Sequence, residues 1–259
     1  MHVLVAADWH VIWQRIFHPG NVFARALWAT VYISVVSQVL GVALGLVAAL
    51  MRMSSIPPLR WISGIYVWIF RGTPLLVQIF FIYTTFNTPS FHFGSLWSIP
   101  AEATTGILAL SINEGAYMRE IIRAGIDSID RGQMEAAKSL GMRYGLAMRR
   151  IILPQAARVI VPPLGNEFNN MMKNTALIYT IGVYELFNDA DQNYSAALKS
   201  EYFVAVAFWY LMLTTVWTFI QAYIERRLAV SERGEELSFR ERLQAAWNPT
   251  AAWFGSGRR

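Results

Sequence analysis

The sequence predicts an all-α integral membrane protein with five transmembrane helices, and its composition gives the first reason. Of the 259 residues, 55% are hydrophobic and only 15% are charged, whereas a soluble domain usually has about 25% charged residues. The mean hydropathy of the chain is +0.34. Two windows, 26–51 and 202–224, are long and apolar enough to cross a bilayer, for which about 20 residues are needed. In the first window, Gly41 and Gly45 form a small-xxx-small pair, which suits close packing against another helix.

Three further spans follow if a few charges are tolerated inside apolar segments. The second predicted span is interrupted only by Arg71, after which Gly72 and Pro74 permit a break in the helix. The third has no charge between Glu102 and Glu114. The fourth contains Glu167, Lys173 and Glu185. The five predicted spans, which make up a transmembrane domain of residues 24–228, are about 24–51, 61–86, 101–122, 160–186 and 202–225.

The distribution of basic residues predicts which side of the membrane each loop faces. An odd number of spans puts the two ends of the chain on opposite sides, and cytoplasmic loops carry an excess of Lys and Arg. With segment 1–23 outside, most of the 22 basic residues fall in the cytoplasm, above all in loop 123–159 and tail 229–259. We therefore expect a multi-pass protein with an external N-terminus and a cytoplasmic C-terminus. Because the basic residues sort by topology, they do not indicate a nucleic-acid partner.

The N-terminal segment has the pattern of a helix that lies in the membrane interface. Trp9, Trp13, Phe17 and Phe23 recur at roughly helical spacing before the first span, as in interfacial helices. The segment lacks the basic n-region and the cleavage site of a signal peptide, so we expect the first span to be retained. The absence of cysteine excludes disulfides and thiolate metal sites.

The most informative segment is the polar, basic stretch EAAKSLGMRYGLAMRRIILP, residues 135–154, which separates two predicted spans. Ala137 and Leu140 fall on one face of a predicted helix, and Gly141 follows at the point where a left-handed residue would end that helix. A second helical stretch is predicted over 144–153. The loop is therefore expected to form a helix–turn–helix.

This loop has surface features that suit a partner protein. Ala136 and Ala137 form a predicted surface of small side chains that fits a groove, and Glu135 can pair with a basic partner residue or cap the helix. Pro154 either breaks the second helix or begins a new one. The alternative is an amphipathic loop that lies on anionic lipid.

The identities and spacing of seven residues in this loop resemble the EAA loop of ABC importer permeases: Glu135, Ala136, Ala137, Gly141, Ile151, Leu153 and Pro154. The resemblance implies a type I ABC permease fold whose cytoplasmic loop contains a coupling helix. It also implies a set of residues that contact an ATPase, namely Glu135, Ala136, Ala137, Ser139, Leu140, Gly141 and Met142.

Three longer segments, 71–83, 113–133 and 153–186, resemble the histidine/glutamine/arginine/opine group of polar amino-acid permeases. This resemblance implies a subunit of an ATP-driven importer in a bacterial cytoplasmic (inner) membrane, which moves a polar amino acid by alternating access. The implied partners are a second permease chain (a copy or a paralogue), a cytoplasmic ABC ATPase dimer and an extracytoplasmic amino-acid-binding protein. ATP and magnesium are expected on the ATPase, and no cofactor on this chain.

Polar side chains inside the spans are the candidates for binding the solute. A charge near the bilayer centre costs about 2.5–3.5 kcal/mol, so it faces protein or a wet cavity. Arg71, with Thr73 beside it, can bind an α-carboxylate through its planar guanidinium, and Tyr117 can line the same cavity or serve packing. An ion pair between Arg71 and Glu114 is the alternative. The candidate acceptors for an α-ammonium are Asn113, Glu114, Asn166, Glu167 and Asn170.

Two other classes of membrane protein are weighed against a permease. An enzyme is disfavoured because the chain has no HExxH or GxSxG motif, no cysteine, and four histidines of which none are paired at ligand spacing. We therefore expect no catalytic and no metal-binding residue. A channel would need a filter ring or a pore helix, and no such segment is visible. The chain also lacks the GxxxxGK[ST] phosphate loop, so any ATP must be hydrolysed by another subunit.

Overall fold

The structure is a computed structural model that describes residues 8–93 and 97–229, and it is almost entirely helical. A short antiparallel hairpin, β1 (Phe91–Phe93) and β2 (Trp97–Ile99), pairs Phe91 with Ile99. The helices in chain order are α1 (Trp9–Phe17), α2 (Asn21–Met53), α3 (Pro57–Gly72), α4 (Leu75–Thr85), α5 (Ala101–Asp127), α6 (Arg131–Ser139), α7 (Tyr144–Ala147), α8 (Leu153–Asn174), α9 (Leu186–Ala197) and α10 (Glu201–Ala229).

Two of these helices, α2 and α10, are long and apolar enough to cross a membrane unaided. A third crossing results if α3 and α4 are counted together, because this pair is bent by 109° at a short break. The chain divides into two compact units, Met1–Gln221 and Ala222–Arg259. The described part of the second unit is the end of α10, and the predicted tail beyond residue 229 lies outside the described residues.

The centre of the first unit is the packing of α2 along α5. Gly41 and Gly45 of α2 face α5 so closely that a Cβ on Gly41 would lie 2.6 Å from Cγ of Glu114. A Cβ on Gly45 would lie 2.9 Å from the backbone nitrogen of Arg119 and would overlap Met118. The predicted small-xxx-small pair at Gly41 and Gly45 is therefore confirmed as a close helix-packing contact.

We expect Gly45→Ala to lower the stability of the bundle by about 1–3 kcal/mol, because the added methyl group has no space between two packed helices. This corresponds to a fall of roughly 2–12 °C in the melting temperature, measured by tryptophan fluorescence of the protein in mild detergent. Gly64→Ala in α3 is the matched control, because a Cβ there meets nothing within 4 Å. Equal melting temperatures for the two variants would contradict this account of the α2–α5 contact.

The fourth span differs in its bounds from the predicted 160–186. Helix α8 begins earlier, at Leu153, and ends at Asn174, after which a 3-10 helix continues over Thr175–Ile181. Gly182 then adopts a left-handed conformation, with φ of +87°. The buried carboxylate of Glu185 accepts a hydrogen bond from the backbone N–H of Asn188 and so caps the start of α9. Glu185 is thus a cap between helices and not a residue inside a straight span.

Helix α1 presents the predicted aromatic face, with Trp9, Trp13 and Phe17 all more than half exposed. Phe23, which the spacing groups with them, instead belongs to α2 and is buried against Trp209. The start of α1 is bonded to the residues that lead into α10. Its N-cap residue Asp8 pairs with Lys199 at 2.7 Å, and the hydrogen bond from Lys199 lowers the pKa of Asp8.

The charged residues at the far end of α5 form pairs among themselves. Arg119 is buried, pairs with the neighbouring Glu120 and donates a hydrogen bond to Oγ of Ser63 in α3. Arg123 pairs with Glu120 at 3.3 Å and with Asp127 at 2.6 Å. These pairs account for the charge at this end of α5 without a ligand.

Candidate functional site

The second predicted span breaks at the sequence Arg71-Gly72-Thr73-Pro74. Helix α3 ends at Gly72, and Pro74 stands at the N-cap of α4 with an extended backbone. A break of this kind leaves backbone carbonyls without helical partners, which inside a membrane must be satisfied by other protein groups or by water. The chain therefore needs polar side chains at this depth.

Gln78 and Asn113 supply those polar groups. The amide nitrogen of Gln78 donates to the carbonyl oxygens of Phe70 and Thr73, at 2.9 and 3.1 Å, and to Oγ1 of Thr73 at 2.8 Å. Asn113 of α5 donates to the same Phe70 carbonyl at 3.1 Å and to Oε1 of Gln78 at 2.9 Å. Both amides are buried. This network holds the broken span against α5 in a fixed geometry.

Arg71 lies beside this network and remains accessible. Its guanidinium carbon is 5.1 Å from the ring centroid of Tyr117, which is a cation–π contact. Tyr117 follows Asn113 by one helical turn on α5, so the two side chains share one face. The structure thus brings together four of the predicted site residues, Arg71, Thr73, Asn113 and Tyr117.

Glu114 faces a different neighbour. The residue is only 4% exposed. Its carboxylate accepts a hydrogen bond of 3.0 Å from the amide of Gln38 in α2. Its side chain packs over Gly41. Arg71 contacts Tyr117, so the alternative ion pair between Arg71 and Glu114 is not formed. A buried carboxylate held by a neutral amide lacks full charge compensation within the described residues, which is costly unless a cation approaches or the carboxyl is protonated.

The three residues of α8 that were predicted to contact the solute lie in different surroundings. Asn166 is exposed and accepts a hydrogen bond of 3.3 Å from Gln221 of α10. Glu167 is half-buried, and its charge acts on that of Glu114. Asn170 is exposed. Since α8 packs on α5, Glu167 is the residue of this set that the structure relates most closely to the α5 side chains.

Sequence reasoning missed two buried residues, Gln38 and Gln78. Together with Asn113 and Glu114 they form a group of buried polar side chains beside the broken span, which we call the polar layer. A neutral amide does not interrupt a charge-free window, so charge alone does not mark these two glutamine residues. The available signal is that Gln78 is the single strongly polar side chain in LLVQIFFIY, residues 75–83. Within the described residues, Oε1 of Gln38 is buried without a hydrogen-bond partner.

The loop between α5 and α8 begins with helix α6, whose ends follow from its sequence. Asp130 is the N-cap, and its carboxylate accepts a hydrogen bond from the N–H of Gly132 at 3.2 Å. At the other end Gly141 has a φ of +77°, which confirms the predicted left-handed residue. The N–H groups of Gly141 and Met142 donate to the carbonyl groups of Lys138 and Ala137, at 2.9 and 3.1 Å. This is the Schellman pattern of a helix end.

The predicted ATPase-contact residues divide into an exposed and a buried group. Glu135, Ala136 and Ser139 are exposed, and Leu140 is 81% exposed. Ala137 is only 1% exposed, so the predicted surface of two small residues is reduced to Ala136. Ala137 is buried because α6 packs on α7 and the turn that follows it, where Ala147 is buried as well. Met142 is half-buried.

The second half of the loop is continuous with the fourth span. Helix α7 runs into a π-helical turn, Met148–Ile152, which runs directly into α8. Pro154 lies in the first turn of α8, directly after the π-helical turn, so it does not break the helical run. Residues 144–174 thus form one uninterrupted run of helical residues, which includes Pro162 and Pro163.

These features define the membrane subunit of a transporter: apolar spans, a broken helix with polar residues at the break, and a helix–turn–helix loop joined to a span. Residues 41–230 match the family of binding-protein-dependent transport system inner membrane components. The chain belongs to this family. It is a transport subunit and not an enzyme, as the sequence predicts.

Curated relatives and solved structures agree with this assignment. The arginine transport system permease protein ArgU of Corynebacterium glutamicum is 37% identical over 86% of this chain and 72% of its own length. The L-cystine transport system permease protein TcyB of Bacillus subtilis is 39% identical over 86% and 92%. The crystal structure of an amino acid ABC transporter with histidines superposes with a TM-score of 0.72 and 38% identity, over 88% of this chain and 100% of that chain.

A more distant structure shows how far the fold extends. The MetNI methionine ABC transporter in an inward-facing conformation superposes with a TM-score of 0.67 at 16% identity, over 80% of this chain and 96% of that chain. At this identity the likeness concerns the fold alone. The predicted fold class, an all-α membrane protein of type I ABC permease architecture, is confirmed.

Proposed function

We propose that this chain is the membrane-spanning subunit of an importer for polar amino acids, driven by a separate ATPase that docks on loop 123–159. The observation that carries the proposal is the uninterrupted run of helical residues over 144–174. It joins a loop with an exposed apolar tip to the span that packs on α5, and α5 bears Asn113 and Tyr117. This helical segment therefore connects the proposed docking surface to the helix that bears the polar residues at the broken span.

The proposed ATPase contact is supported by the surface of the loop. Leu140, Tyr144 and Leu146 are 81%, 57% and 47% exposed, and exposed clusters of large apolar side chains mark protein contacts. Arg149 and Arg150 are exposed on the same loop. ATP and magnesium bind to the ATPase dimer in this proposal, and its closure moves the loop and α8 together.

The proposed solute contacts are supported by the chemistry of the polar layer. The Arg71 guanidinium is accessible and held over Tyr117, and its planar fork matches an α-carboxylate. Asn113, Glu114, Asn166, Glu167 and Asn170 supply oxygen acceptors for an α-ammonium, with Thr73 beside Arg71. The relatives named for arginine and L-cystine transport favour a polar amino acid as the solute.

The proposed assembly contains two permease chains in a bacterial inner membrane, with the N-terminus outside and the C-terminus in the cytoplasm. The second chain is a copy or a paralogue of this one. An extracytoplasmic amino-acid-binding protein docks on the outer surface, where hairpin β1–β2 and helix α9 lie in this orientation. Because the chain contains no cysteine, single cysteines introduced in α9 and at Ser139 can be labelled from one side to test it.

The test of the proposed function is transport by the purified complex in proteoliposomes. Radiolabelled arginine, glutamine and cystine are offered with the binding protein, with ATP or a non-hydrolysable analogue present on the ATPase side. We expect concentrative uptake of at least one amino acid with ATP and none with the analogue. Equal flux under both conditions would contradict the importer and favour a channel.

A further inference from the structure

A groove at the junction of α2 and α3 is not used by any of the features described above. It has a volume of about 430 Å³ and is lined by Arg52, Arg60, Trp61, Gly64, Ile65 and Trp68. Arg52 lies in the last turn of α2 and Arg60 in the first turn of α3. The groove therefore has a cationic end, at the helix termini, and an apolar end, along α3.

Among the residues that the structure describes, the cationic end has no counterion. Arg52 and Arg60 are both exposed, and neither forms an ion pair within residues 8–93 and 97–229. The positive charge of Arg119 also repels that of Arg52. Two unpaired guanidinium groups beside a helix start form a site for an anion, and guanidinium groups bind phosphate well.

The apolar end follows one face of α3. Trp61, Ile65 and Trp68 are 72%, 51% and 76% exposed, and their spacing of four and three residues places them in one row. Gly64 lies in the same row, and a Cβ at this position would meet nothing within 4 Å. Because Gly64 has no side chain, the helix surface between Trp61 and Trp68 is open, and we call this surface the apolar floor of the groove. The two tryptophan residues are about 10 Å apart along the helix axis.

We propose that this groove binds an anionic phospholipid, with the headgroup phosphate on Arg52 and Arg60 and an acyl chain over Gly64 between Trp61 and Trp68. A soluble anion would account for the arginines but not for the apolar floor, and a zwitterionic lipid would bring a cation of its own beside the two arginines. The cationic end coincides with the end of membrane span α2, where headgroups lie. Basic pockets between transmembrane helices are a recognised form of lipid site, and tryptophan is favoured at the same depth.

This inference goes beyond the proposed function and does not depend on which solute moves. In the proposed orientation the groove faces the cytoplasmic leaflet, where the headgroups are anionic. A bound lipid would join the end of α2 to the start of α3, the helix that ends at Arg71. The lipid would then support the first half of the broken span.

The test is photo-crosslinking of the purified complex in nanodiscs that contain either photoactivatable phosphatidylglycerol or photoactivatable phosphatidylcholine. Trypsin releases residues 61–71 as one peptide, and we expect the anionic probe to label that peptide. Arg52→Gln with Arg60→Gln should reduce labelling of the intact chain by about 30-fold. Gly64→Leu, which fills the floor without changing charge, should also reduce it strongly.

The matched control is Arg226→Gln, which removes an exposed arginine near the end of α10 and should label as the unaltered chain does. Melting temperatures of the purified variants establish that each is folded. The proposal is overturned if phosphatidylcholine labels residues 61–71 as strongly as phosphatidylglycerol. It is also overturned if the folded double arginine variant labels as strongly as the Arg226→Gln control.

Discussion

Gly141→Val is expected to abolish amino-acid uptake while leaving the bundle folded. Gly141 has a φ of +77° and donates to the carbonyl of Lys138 as part of the Schellman turn. A left-handed conformation costs a residue with a Cβ about 1–2 kcal/mol, and β-branched residues are the least tolerant. The turn would open and displace Leu140 from its exposed position. ATP hydrolysis by the complex should then no longer respond to the loaded binding protein.

Two neighbouring substitutions separate conformation from size. Gly141→Asn should retain most of the uptake, because asparagine accepts the left-handed conformation at a helix end. Gly145→Ala alters a nearby glycine whose surroundings are open, and should transport normally. The measurement is uptake and ATPase rate in proteoliposomes, with the melting temperature as the test of folding. Normal uptake by Gly141→Val, or equal loss with asparagine and valine, would contradict the role given to this turn.

Arg71→Ala is expected to reduce uptake about 10- to 100-fold, with the ATPase still bound. The estimate follows from the loss of a charge-assisted hydrogen bond to the solute carboxylate, about 1.5–3 kcal/mol. Arg71 is exposed at the end of α3, so its removal leaves no buried partner unpaired. Uptake at several solute concentrations measures the effect, and co-purification of the ATPase measures the assembly.

Conservative variants distinguish binding from packing at this position. Arg71→Lys keeps the charge but loses the planar fork, and should transport at an intermediate rate. Tyr117→Phe keeps the ring under the guanidinium and should transport nearly normally. If Arg71→Ala transports normally, Arg71 is not part of the solute site. If it loses the ATPase or melts early, its role is structural.

The features that were predicted from the sequence are those determined by local chemistry. Gly141 was predicted to end a helix because few other residues adopt a left-handed turn there. The break after Arg71 is signalled by Gly72 and Pro74, which weaken a helix wherever they occur. Gly41 and Gly45 indicated close packing because their four-residue spacing places both on one helix face.

The features that were not predicted depend on contacts between distant segments. Gln78 matters because Asn113, 35 residues away, meets it at the break. Ala137 is buried because α6 folds back on the helix that contains Ala147, and neither the motif nor the helical period specifies that contact. In the fourth span, α8 ends at Asn174 and a 3-10 helix continues to Ile181, and hydropathy does not distinguish these two conformations.

The most direct measurement of the central claim is affinity purification of this chain from its native membrane in mild detergent, followed by quantitative mass spectrometry. We predict that an ATPase with a phosphate-binding loop is recovered in stoichiometric amount, together with a second permease chain if that chain is a paralogue. We also predict that Gly141→Val recovers less of the ATPase than Gly145→Ala does. A chain that is folded and pure but carries no ATPase would contradict the account and favour a channel or a self-contained carrier.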